Sequence, residues 1–338
     1  MIKIYNFSEF KKLELNIPDF YFLPEYGKLC EITENGIWKC IIFNNNEILL
    51  PFIETEIEIS NEKIKHIVSN YGYGGIFINK DDNITLFINE LIIFMKENNY
   101  VTHFLRFTPY FKNNTAVEIS YIPETKLYLK SNTYGISFKN ETYDNYKKNT
   151  KKGHRRSLRK ANTNLFFNIR PFEKSDIKGT FQEIYEETMK RVNSEEYYYF
   201  NQKYYENMYK YCNNNVYIAE VSLIHTKEVI ASAIIFHWNN KYLHYHLGGS
   251  KTKYLNLCPN NFLHDGVIQF GFQNNYELYH IGGGVKYGDS LDMFKKSFSN
   301  IEFLYYQAKI VYDNEKYQKY KKICKNYNKN FFPEYINN

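Results

Sequence analysis

Alternation of apolar and polar positions predicts one order of elements in the first part of the chain. Residues 37–43 and 47–53 are apolar stretches separated by three asparagines, which predicts a β-hairpin. Residues 84–96 carry apolar side chains at helical spacing, and residues 101–107 form a strand that ends before Pro109. Residues 70–75 (N-Y-G-Y-G-G) are predicted to form a loop, because three glycines in four positions favour backbone conformations that strands and helices avoid.

The second part of the chain repeats this order on a larger scale. The predicted elements are two helices near 176–190 and 202–211, a hairpin of strands 216–223 and 229–238, a strand at 242–247, a helix at about 260–274 and a strand at 278–281. Both parts contain a hairpin, a helix and further strands, although their residues do not repeat. We therefore predict a duplicated α/β (α+β) fold with mixed sheets, divided into residues 1–130 and 131–338.

The amino-acid composition is typical of a globular protein. The chain has 338 residues, of which 43% are hydrophobic and 19% aromatic, too many core-forming side chains for a disordered chain. No stretch approaches the roughly 18 apolar residues of a spanning helix, and residues 1–10 lack the apolar region of a signal peptide. A cytoplasmic location is the resulting expectation. The five cysteines are odd in number and lack C-x-x-C spacing, so we predict neither a disulfide framework nor a zinc site.

Positive charge is concentrated in one segment. The net charge is +6, yet residues 147–160 contain eight Lys or Arg and no acid, which leaves 35 basic against 37 acidic residues elsewhere. Their spacing by four predicts one helix with a broad cationic face, on which Arg155, Arg156, Arg159 and Lys160 are candidate anion-binding residues. Candidate partners are a nucleic acid such as tRNA, a nucleotide diphosphate or an anionic membrane surface. The alternative is a solvated helix face paired with acids elsewhere.

Two predicted strands end in glycine runs, Leu247-Gly-Gly-Ser250 and Ile281-Gly-Gly-Gly284. Glycine at a strand end lets a ligand or another backbone approach closely, and tight turns are the alternative explanation. His244 and His246 share a strand face, but no acidic residue lies at a metal-ligand spacing, so we predict no metal site. The chain has no G-x-S-x-G elbow, Walker loop or dinucleotide fingerprint, which argues against serine hydrolases, P-loop NTPases and standard Rossmann oxidoreductases.

Six motifs in one order carry a family resemblance. They are N-Y-G-Y-G-G (70–75), K-K-G-H-R-R-S-L-R-K-A (151–161), T-M-K-R-V (188–192), Y-H-L-G-G-S (245–250), H-I-G-G-G (280–284) and D-M-F-K-K-S-F (292–298). In this order the chain resembles the Fem family of peptidoglycan interpeptide-bridge aminoacyltransferases and the wider FemAB-like group of GNAT acyltransferases. The resemblance extends from about residue 20 to residue 312.

This resemblance implies two GNAT-like domains in tandem, 1–130 and 131–338, with the site in the cleft between them. Fem enzymes transfer an amino acid from aminoacyl-tRNA to an amine of a peptidoglycan precursor. The family's F-K-x-x-F pattern falls on Phe294 and Lys295, with Phe298 as the closing aromatic, and the lysine assists at the tRNA end or the developing oxyanion. The resemblance places substrate-binding residues at Arg191 and Lys28, which would meet phosphates, and at Tyr245. Further substrate-binding candidates are Gly248, Gly249, Gly283, Gly284, Arg106 and Tyr73.

Three departures from the family pattern leave the acyl donor open. The chain has no long heptad insertion between residues 176 and 211, so we predict no coiled-coil arm. Thr108 stands where some members have an acid, so no general base is assigned. The Q/R-x-x-G-x-G/A loop that holds coenzyme A in ordinary GNAT enzymes is missing after residues 242–247. We expect no permanently bound cofactor, and either aminoacyl-tRNA or acyl-CoA as the donor.

The predicted function is an acyl or aminoacyl transferase acting on an amine of a nucleotide-linked or lipid-linked cell-envelope glycan precursor. An acyl-CoA-dependent N-acyltransferase of an amino sugar in surface polysaccharide synthesis is the second hypothesis. A non-catalytic RNA-binding module that uses residues 147–160 is the third.

Overall fold

The computed structural model describes residues 1–80, 83–111, 119–324 and 331–336. They form two compact units: Met1–Lys130 together with the described chain from Tyr305 onward, and Ser131–Leu304.

The first unit is a mixed sheet with helices packed on it. Its elements are β1 (Ile2–Asn6), α1 (Phe7–Phe10), α2 (Pro24–Thr33), β2 (Ile37–Phe43), β3 (Ile48–Ile59), β4 (Glu62–Val68), β5 (Phe77–Ile78), α3 (Ile84–Glu97), β6 (Tyr100–Arg106), β13 (Ile301–Val311) and α10 (Asn314–Ile323). The strand order is β1-β2-β3-β4-β6-β13, with β5 beside β3. Strands β2, β3 and β4 are antiparallel, and β4 pairs with β6 in parallel.

Local chemistry explains the predicted part of this unit. Asn44, Asn45 and Asn46 adopt positive φ values of 45°, 52° and 84°, which asparagine tolerates better than most residues, and they form the turn between β2 and β3. Helix α3 buries the apolar stripe that includes Phe87 and Leu91 in the core of the unit.

The second unit repeats this order. Its elements are β7 (Thr125–Ser137), α4 (Tyr143–Asn149), α5 (Lys152–Asn162), β8 (Leu165–Pro171), α6 (Thr180–Arg191), α7 (Gln202–Cys212), β9 (Val216–Leu223), β10 (Val229–Trp238), β11 (Tyr242–Ser250), α8 (Pro259–Gln273), β12 (Leu278–Gly282) and α9 (Ser290–Lys296). The strand order is β7-β12-β11-β10-β9-β8. Strands β9, β10 and β11 are antiparallel, and β11 pairs with β12 in parallel after α8.

Each unit therefore contains four antiparallel strands, β1 to β4 and β8 to β11, followed by a helix and a strand in parallel with the last of them. This arrangement confirms the predicted α/β fold with tandem mixed sheets. An antiparallel strand from a distant part of the chain completes each sheet: β13 pairs with β6, and β7 pairs with β12. Between residues 176 and 212, the described α-helices α6 and α7 have only 12 and 11 residues.

The C-terminal segment differs from the predicted division at 131–338. The chain from Tyr305 onward belongs to the first unit, because β13 pairs with β6 from Gln307 opposite Arg106 to Val311 opposite Thr102. Ala308 of this strand is fully buried in the first unit's core. The edge of β6 is thus paired with a strand about 200 residues later in the chain, which no local pattern indicates.

The predicted single helix over 147–160 is also wrong, because the basic segment forms two helices. Thr150 and Lys151 have extended backbones (φ −67°, ψ 156° and φ −59°, ψ 143°) that end α4 before α5 begins. The buried Thr150 hydroxyl donates a hydrogen bond to the carbonyl of Lys147 at 2.9 Å. Charges before and after this break therefore do not lie on one continuous helix face.

No helix in the described ranges combines the length and the apolar composition needed to cross a membrane.

Candidate active site in the second unit

The two parallel strands of the second unit separate just before their glycine runs. Strands β11 and β12 pair over three positions, from Tyr242 opposite Leu278 to His244 opposite His280. Beyond this point β11 continues along β10 to Ser250, while β12 stays with β7 and reaches Gly282 at φ +70°. Ligands of open α/β sheets bind at such carboxyl ends of strands. The parting of the strands is therefore the candidate site.

Lys295 lies at this point. It belongs to α9, whose first turn is capped by Asp289, and the side-chain nitrogen donates a hydrogen bond to the carbonyl oxygen of Gly283 at 2.8 Å. The same nitrogen lies 5.8 Å from the centroid of the Tyr245 ring, and the residue is only 7% exposed. Lys295 thus joins the β12 glycine run to Tyr245 of β11.

The pKa of Lys295 is lowered to about 8, because burial disfavours its charged form. The carboxylates of Asp289 and Asp292 oppose this effect. Both also organise the turn before α9: Asp289 accepts hydrogen bonds from the N–H groups of Val285 and Lys286, and Asp292 accepts one from Gly288. Lys295 is therefore a buried cation near neutral pH, beside a turn with well-satisfied backbone groups.

Aromatic rings pack together on the side of α9 that faces His264. Phe294 and Phe298 lie 5.2 Å apart between centroids and pack at 5.8 and 4.9 Å from the ring of His264. The Nδ1 atom of His264 lies 3.0 Å from the hydroxyl of Tyr279, and burial lowers the His264 pKa to about 3. His264 is thus neutral and belongs to the packing behind Lys295. Among the described residues, no group of three or more His, Cys, Asp or Glu side chains could hold a metal ion.

The predicted glycines are positions of close internal approach. A Cβ atom at Gly283 would lie 2.4 Å from the backbone oxygen of Asn132, and one at Gly284 would lie 2.5 Å from Asp289 Oδ1. In β11, a Cβ atom at Gly248 would lie 2.1 Å from the Tyr245 hydroxyl, and one at Gly249 would lie 2.4 Å from Thr188 Oγ1. The missing side chains make room for the protein's own atoms. Contact of these glycines with substrate stays a prediction.

Arg191 stands at the far end of β11. Its guanidinium donates hydrogen bonds to the Ser250 carbonyl at 2.7 Å and to the Thr252 hydroxyl at 2.9 Å. Thr188, one turn earlier on α6, accepts a hydrogen bond from the Ser250 N–H at 3.0 Å. Arg191 therefore fastens α6 to the end of the glycine-containing strand, and its predicted contact with a phosphate stays a prediction.

Three predicted residues lie in the first unit instead. The ammonium of Lys28 pairs with Glu31 at 2.8 Å, and the Arg106 guanidinium contacts the Ser69 carbonyl at 2.8 Å and Glu34 at 3.3 Å. Tyr73 packs its ring 5.2 Å from that of Tyr305. Lys28 and Arg106 thus have carboxylate partners within their own unit.

The basic segment presents its charges from two short helices. Arg156, Arg159 and Lys160 are exposed on α5. Arg155 differs, because its Nη1 atom donates hydrogen bonds to the carbonyls of Lys148, at 2.9 Å, and Thr150. Arg155 therefore satisfies backbone acceptors at the end of α4, a role that its position among other cations does not reveal.

Sequence reasoning missed three contributors to this region. Asp289 and Asp292 accept the hydrogen bonds that form the turn before Lys295. His154 lies on the buried face of α5, and its ring stacks on that of Phe298 with 5.1 Å between the centroids. The available signal for His154 was its spacing to Leu158 and Ala161, which together form the buried stripe of α5.

Burial of Lys295 predicts a pH-dependent difference in stability. Between the folded pKa of about 8 and the ordinary value of 10.5, the unfolded chain binds a proton that the folded protein does not, so this group makes the folded state more stable as pH rises. We expect Lys295→Met to gain stability relative to wild type at pH 7 and to lose up to about 3 kcal/mol of that advantage by pH 10. Urea unfolding at several pH values measures the free energy of unfolding of both proteins. Buried cysteines and tyrosines have raised pKa values, which change stability with pH in the opposite sense. Both proteins contain these groups, so their contribution cancels when the two free energies are subtracted. A pH-independent difference would contradict the burial of this charge.

Comparison with known proteins assigns a class to this site. Residues 148–295, which include the parting strands and Lys295, match the model of an acetyltransferase (GNAT) domain. This match confirms the predicted acyltransferase class and disfavours a non-catalytic module. No curated protein sequence matches the chain.

Solved structures extend the similarity to nearly the whole chain. FemX superposes with a TM-score of 0.69 at 12% identity, covering 94% of this chain and 99% of that one. The C-terminal domain of a putative lysylphosphatidylglycerol synthetase from Agrobacterium fabrum superposes with a TM-score of 0.58 at 12% identity, covering 88% of this chain and 89% of that one. A conserved protein of unknown function from Bacteroides thetaiotaomicron superposes with a TM-score of 0.58 at 11% identity, covering 92% of this chain and 100% of that one. At these identities the likeness establishes the fold, and it confirms the predicted resemblance to Fem-like GNAT acyltransferases.

Proposed function

We propose that the second unit transfers an acyl or aminoacyl group to an amine, and that Lys295 stabilises the oxyanion of this reaction. The observation that carries the proposal is the buried ammonium of Lys295, held at 2.8 Å from the Gly283 carbonyl where β11 and β12 part. An ammonium has three N–H donors, and this hydrogen bond engages one of them.

The chemistry of aminolysis fits such a centre. A neutral amine attacks the carbonyl carbon of an ester or thioester, the carbonyl oxygen becomes an oxyanion, and collapse forms the amide while the alcohol or thiol leaves with a proton. Placed cations and held reactants accelerate this reaction without a protein nucleophile. The absence of a nucleophile motif in the sequence is consistent with it.

The proposed acceptor is an amine on a nucleotide-linked or lipid-linked glycan precursor of the cell envelope, acylated in the cytoplasm. Similarity to FemX over 94% of the chain supports this choice. The lysylphosphatidylglycerol synthetase similarity supports aminoacyl transfer in the cell envelope more generally. Arg191, at the end of β11, is the proposed contact for the precursor's phosphates.

A transfer assay tests this proposal. Purified protein is incubated with a charged tRNA pool or acetyl-CoA as donor and with a nucleotide-linked muropeptide as acceptor, and products are identified by mass spectrometry. We expect a new amide on the muropeptide. If neither donor is consumed while the protein is folded and binds the acceptor, the proposed reaction is wrong.

Acyl transfer from coenzyme A to an amino sugar is the second candidate, favoured by the GNAT acetyltransferase match over residues 148–295. Ligand-induced stabilisation separates the two candidates, because a ligand at about 100 times its Kd adds about 2.7 kcal/mol to the free energy of unfolding. For the preferred function, we expect the muropeptide to raise the melting temperature, whichever donor is used. Stabilisation by coenzyme A alone would favour the second candidate.

A further inference from the structure

The turn that joins β12 to α9, together with the first turn of that helix, exposes large apolar side chains. We call residues 285–293 the apolar tip. The exposed fractions are 68% for Val285, 74% for Tyr287, 41% for Leu291 and 52% for Met293. Single exposed apolar residues are ordinary on a protein surface, but four within nine residues are a concentration. Such a concentration indicates a surface that contacts another molecule or a lipid bilayer.

We propose that the apolar tip inserts into the interfacial region of an anionic lipid bilayer and so docks the second unit on a membrane. The inference depends on this exposed surface and not on the chemistry of Lys295. One consequence rests on the proposed function: a site docked on a membrane favours the lipid-linked form of the acceptor over the nucleotide-linked form.

Two carboxylates hold the backbone of the apolar tip in shape. Asp289 accepts hydrogen bonds from the N–H groups of Val285 and Lys286, both at 2.8 Å. Asp292 accepts one from the N–H group of Gly288 at 3.1 Å, and Gly288 has a φ of +76°, which glycine adopts readily. Because these N–H groups are satisfied within the protein, the turn can enter the headgroup region without leaving them unpaired.

The side chains of the apolar tip suit the boundary between lipid and water. Tyrosine is enriched at membrane interfaces, where its ring lies among the lipids and its hydroxyl reaches water, and Tyr287 is the most exposed residue of the four. Lys286 is exposed between Val285 and Tyr287. Its apolar stem can lie along the lipids while its ammonium reaches the phosphates. Apolar, aromatic and cationic side chains together are typical of a segment that lies in the interface.

The charge around the apolar tip is positive. Residues 285–296 contain three lysines and two aspartates. Helices α4 and α5 pack against the chain just after α9: the Tyr146 hydroxyl donates a hydrogen bond to the Phe298 carbonyl at 2.6 Å, and the His154 ring stacks on the Phe298 ring. The exposed cations of α5 are Lys152, Arg156, Arg159 and Lys160.

This charge favours a bilayer over a second copy of the chain. Each lysine or arginine near an anionic membrane surface adds about 1 kcal/mol of attraction. A second copy docked through the same tip would bring equal positive charges together, which weakens association. An anionic bilayer satisfies both the apolar side chains and the cations beside them.

The apolar tip lies next to the candidate site. Gly283 and Gly284 lead directly into it, and the Gly283 carbonyl holds the Lys295 ammonium at 2.8 Å. With a rise of 1.5 Å per residue, Lys295 lies about 3 Å along the helix axis from Met293. Under the proposed function, an amine carried on a lipid headgroup would therefore stand close to the reacting centre while its lipid chains stay in the bilayer.

Vesicle binding by the full chain tests the proposal. The vesicles contain phosphatidylcholine with about 30% phosphatidylglycerol, and sedimentation measures the bound fraction. We expect the double variant Val285→Ser, Tyr287→Ser to bind about tenfold more weakly than wild type, because interfacial binding scales with the apolar area that is buried. Pure phosphatidylcholine vesicles should bind wild type more weakly than the anionic ones. A preference for phosphatidylcholine would overturn the proposal.

The matched control is the double variant Phe166→Ser, Ile224→Ser. It also removes one aromatic and one β-branched side chain, 55% and 37% exposed, from the same unit. We expect it to bind vesicles within about twofold of wild type, and both variants should keep the wild-type melting temperature because these side chains are exposed. Equal losses of vesicle binding in the two variants, or no vesicle binding by wild type, would overturn the proposal.

Two further measurements separate the alternatives. The variant Tyr287→Trp should keep vesicle binding and shift its fluorescence emission to shorter wavelength when vesicles are added, and an unchanged emission spectrum would show that the tip stays in water. Self-association of wild type that the tip substitutions abolish, without vesicle binding, would identify a second copy as the occupant and overturn the proposal. Acyl transfer to a soluble nucleotide-linked muropeptide without vesicle binding would leave the proposed function intact and refute the membrane contact. Vesicle binding without transfer to either acceptor would do the reverse.

Discussion

Lys295→Met should lower the turnover of acyl transfer by about a thousandfold while the protein stays folded. Removing one preorganised oxyanion donor typically costs about a hundredfold to a thousandfold in turnover, and Lys295 acts from a buried position where its charge is poorly screened. Its effect is confined to the transition state, so the KM for the acceptor should change little. Steady-state kinetics with the donor that supports wild-type turnover measures both quantities.

The neighbouring lysine provides the matched control. Lys296 has the same charge on the same helix, but its side chain is 38% exposed and pairs with Glu302 at 2.9 Å. Exposed ion pairs contribute at most about 1 kcal/mol, so Lys296→Met should keep turnover within about twofold of wild type. Wild-type turnover in Lys295→Met would show that this lysine does not stabilise the oxyanion. An equal loss in both variants would indicate damage to α9 instead.

Elements that depend on neighbouring residues were predicted well. The strands at 37–43, 216–223 and 229–238 have the predicted limits, because a local turn and a local apolar run determine each of them. The predicted helix at 84–96 differs from α3 by one residue for the same reason.

Strands β7 and β13 were not predicted, and the cause is the distance to their partners. β7 precedes β12 by about 150 residues, and β13 pairs with β6 about 200 residues earlier. Buried and exposed residues do not alternate cleanly along either strand. Their positions follow from the sheet edges that the two units leave to be covered, which is a property of the assembled fold.

The site was located by motif resemblance, and its internal chemistry was not predictable in the same way. The sequence brought Lys295 and the glycine runs into one hypothesis, and the structure joins them through the Gly283 carbonyl. Arg155 and Arg156 are equivalent in sequence, yet only Arg155 turns back to the carbonyls at the end of α4. Such a difference depends on the helix break at Thr150, which charge spacing does not encode.

The second large effect is expected from Gly283→Ala. The new Cβ atom would lie 2.4 Å from the backbone oxygen of Asn132, so β12 and β7 would have to separate locally. Overpacking of this kind typically costs about 1 to 3 kcal/mol of unfolding free energy. The shift also moves the carbonyl that holds Lys295, and a displacement of about 1 Å at a catalytic group can cost about a hundredfold in rate. Urea unfolding and the transfer assay measure the two losses separately.

Gly153→Ala is the matched control for this substitution. A Cβ atom there would have no neighbour within 4 Å, and the residue lies exposed in α5. Because alanine is the better helix former, this variant should gain about 0.5 to 1 kcal/mol of stability and keep wild-type turnover. If Gly283→Ala keeps both its stability and its turnover, β12 does not approach β7 as closely as described. If it loses stability but keeps its turnover, the Gly283 carbonyl does not position Lys295 for the reaction. We expect Gly283→Ala to lose both stability and turnover while Gly153→Ala keeps both, because the Gly283 carbonyl holds Lys295 at a position with no room for a side chain.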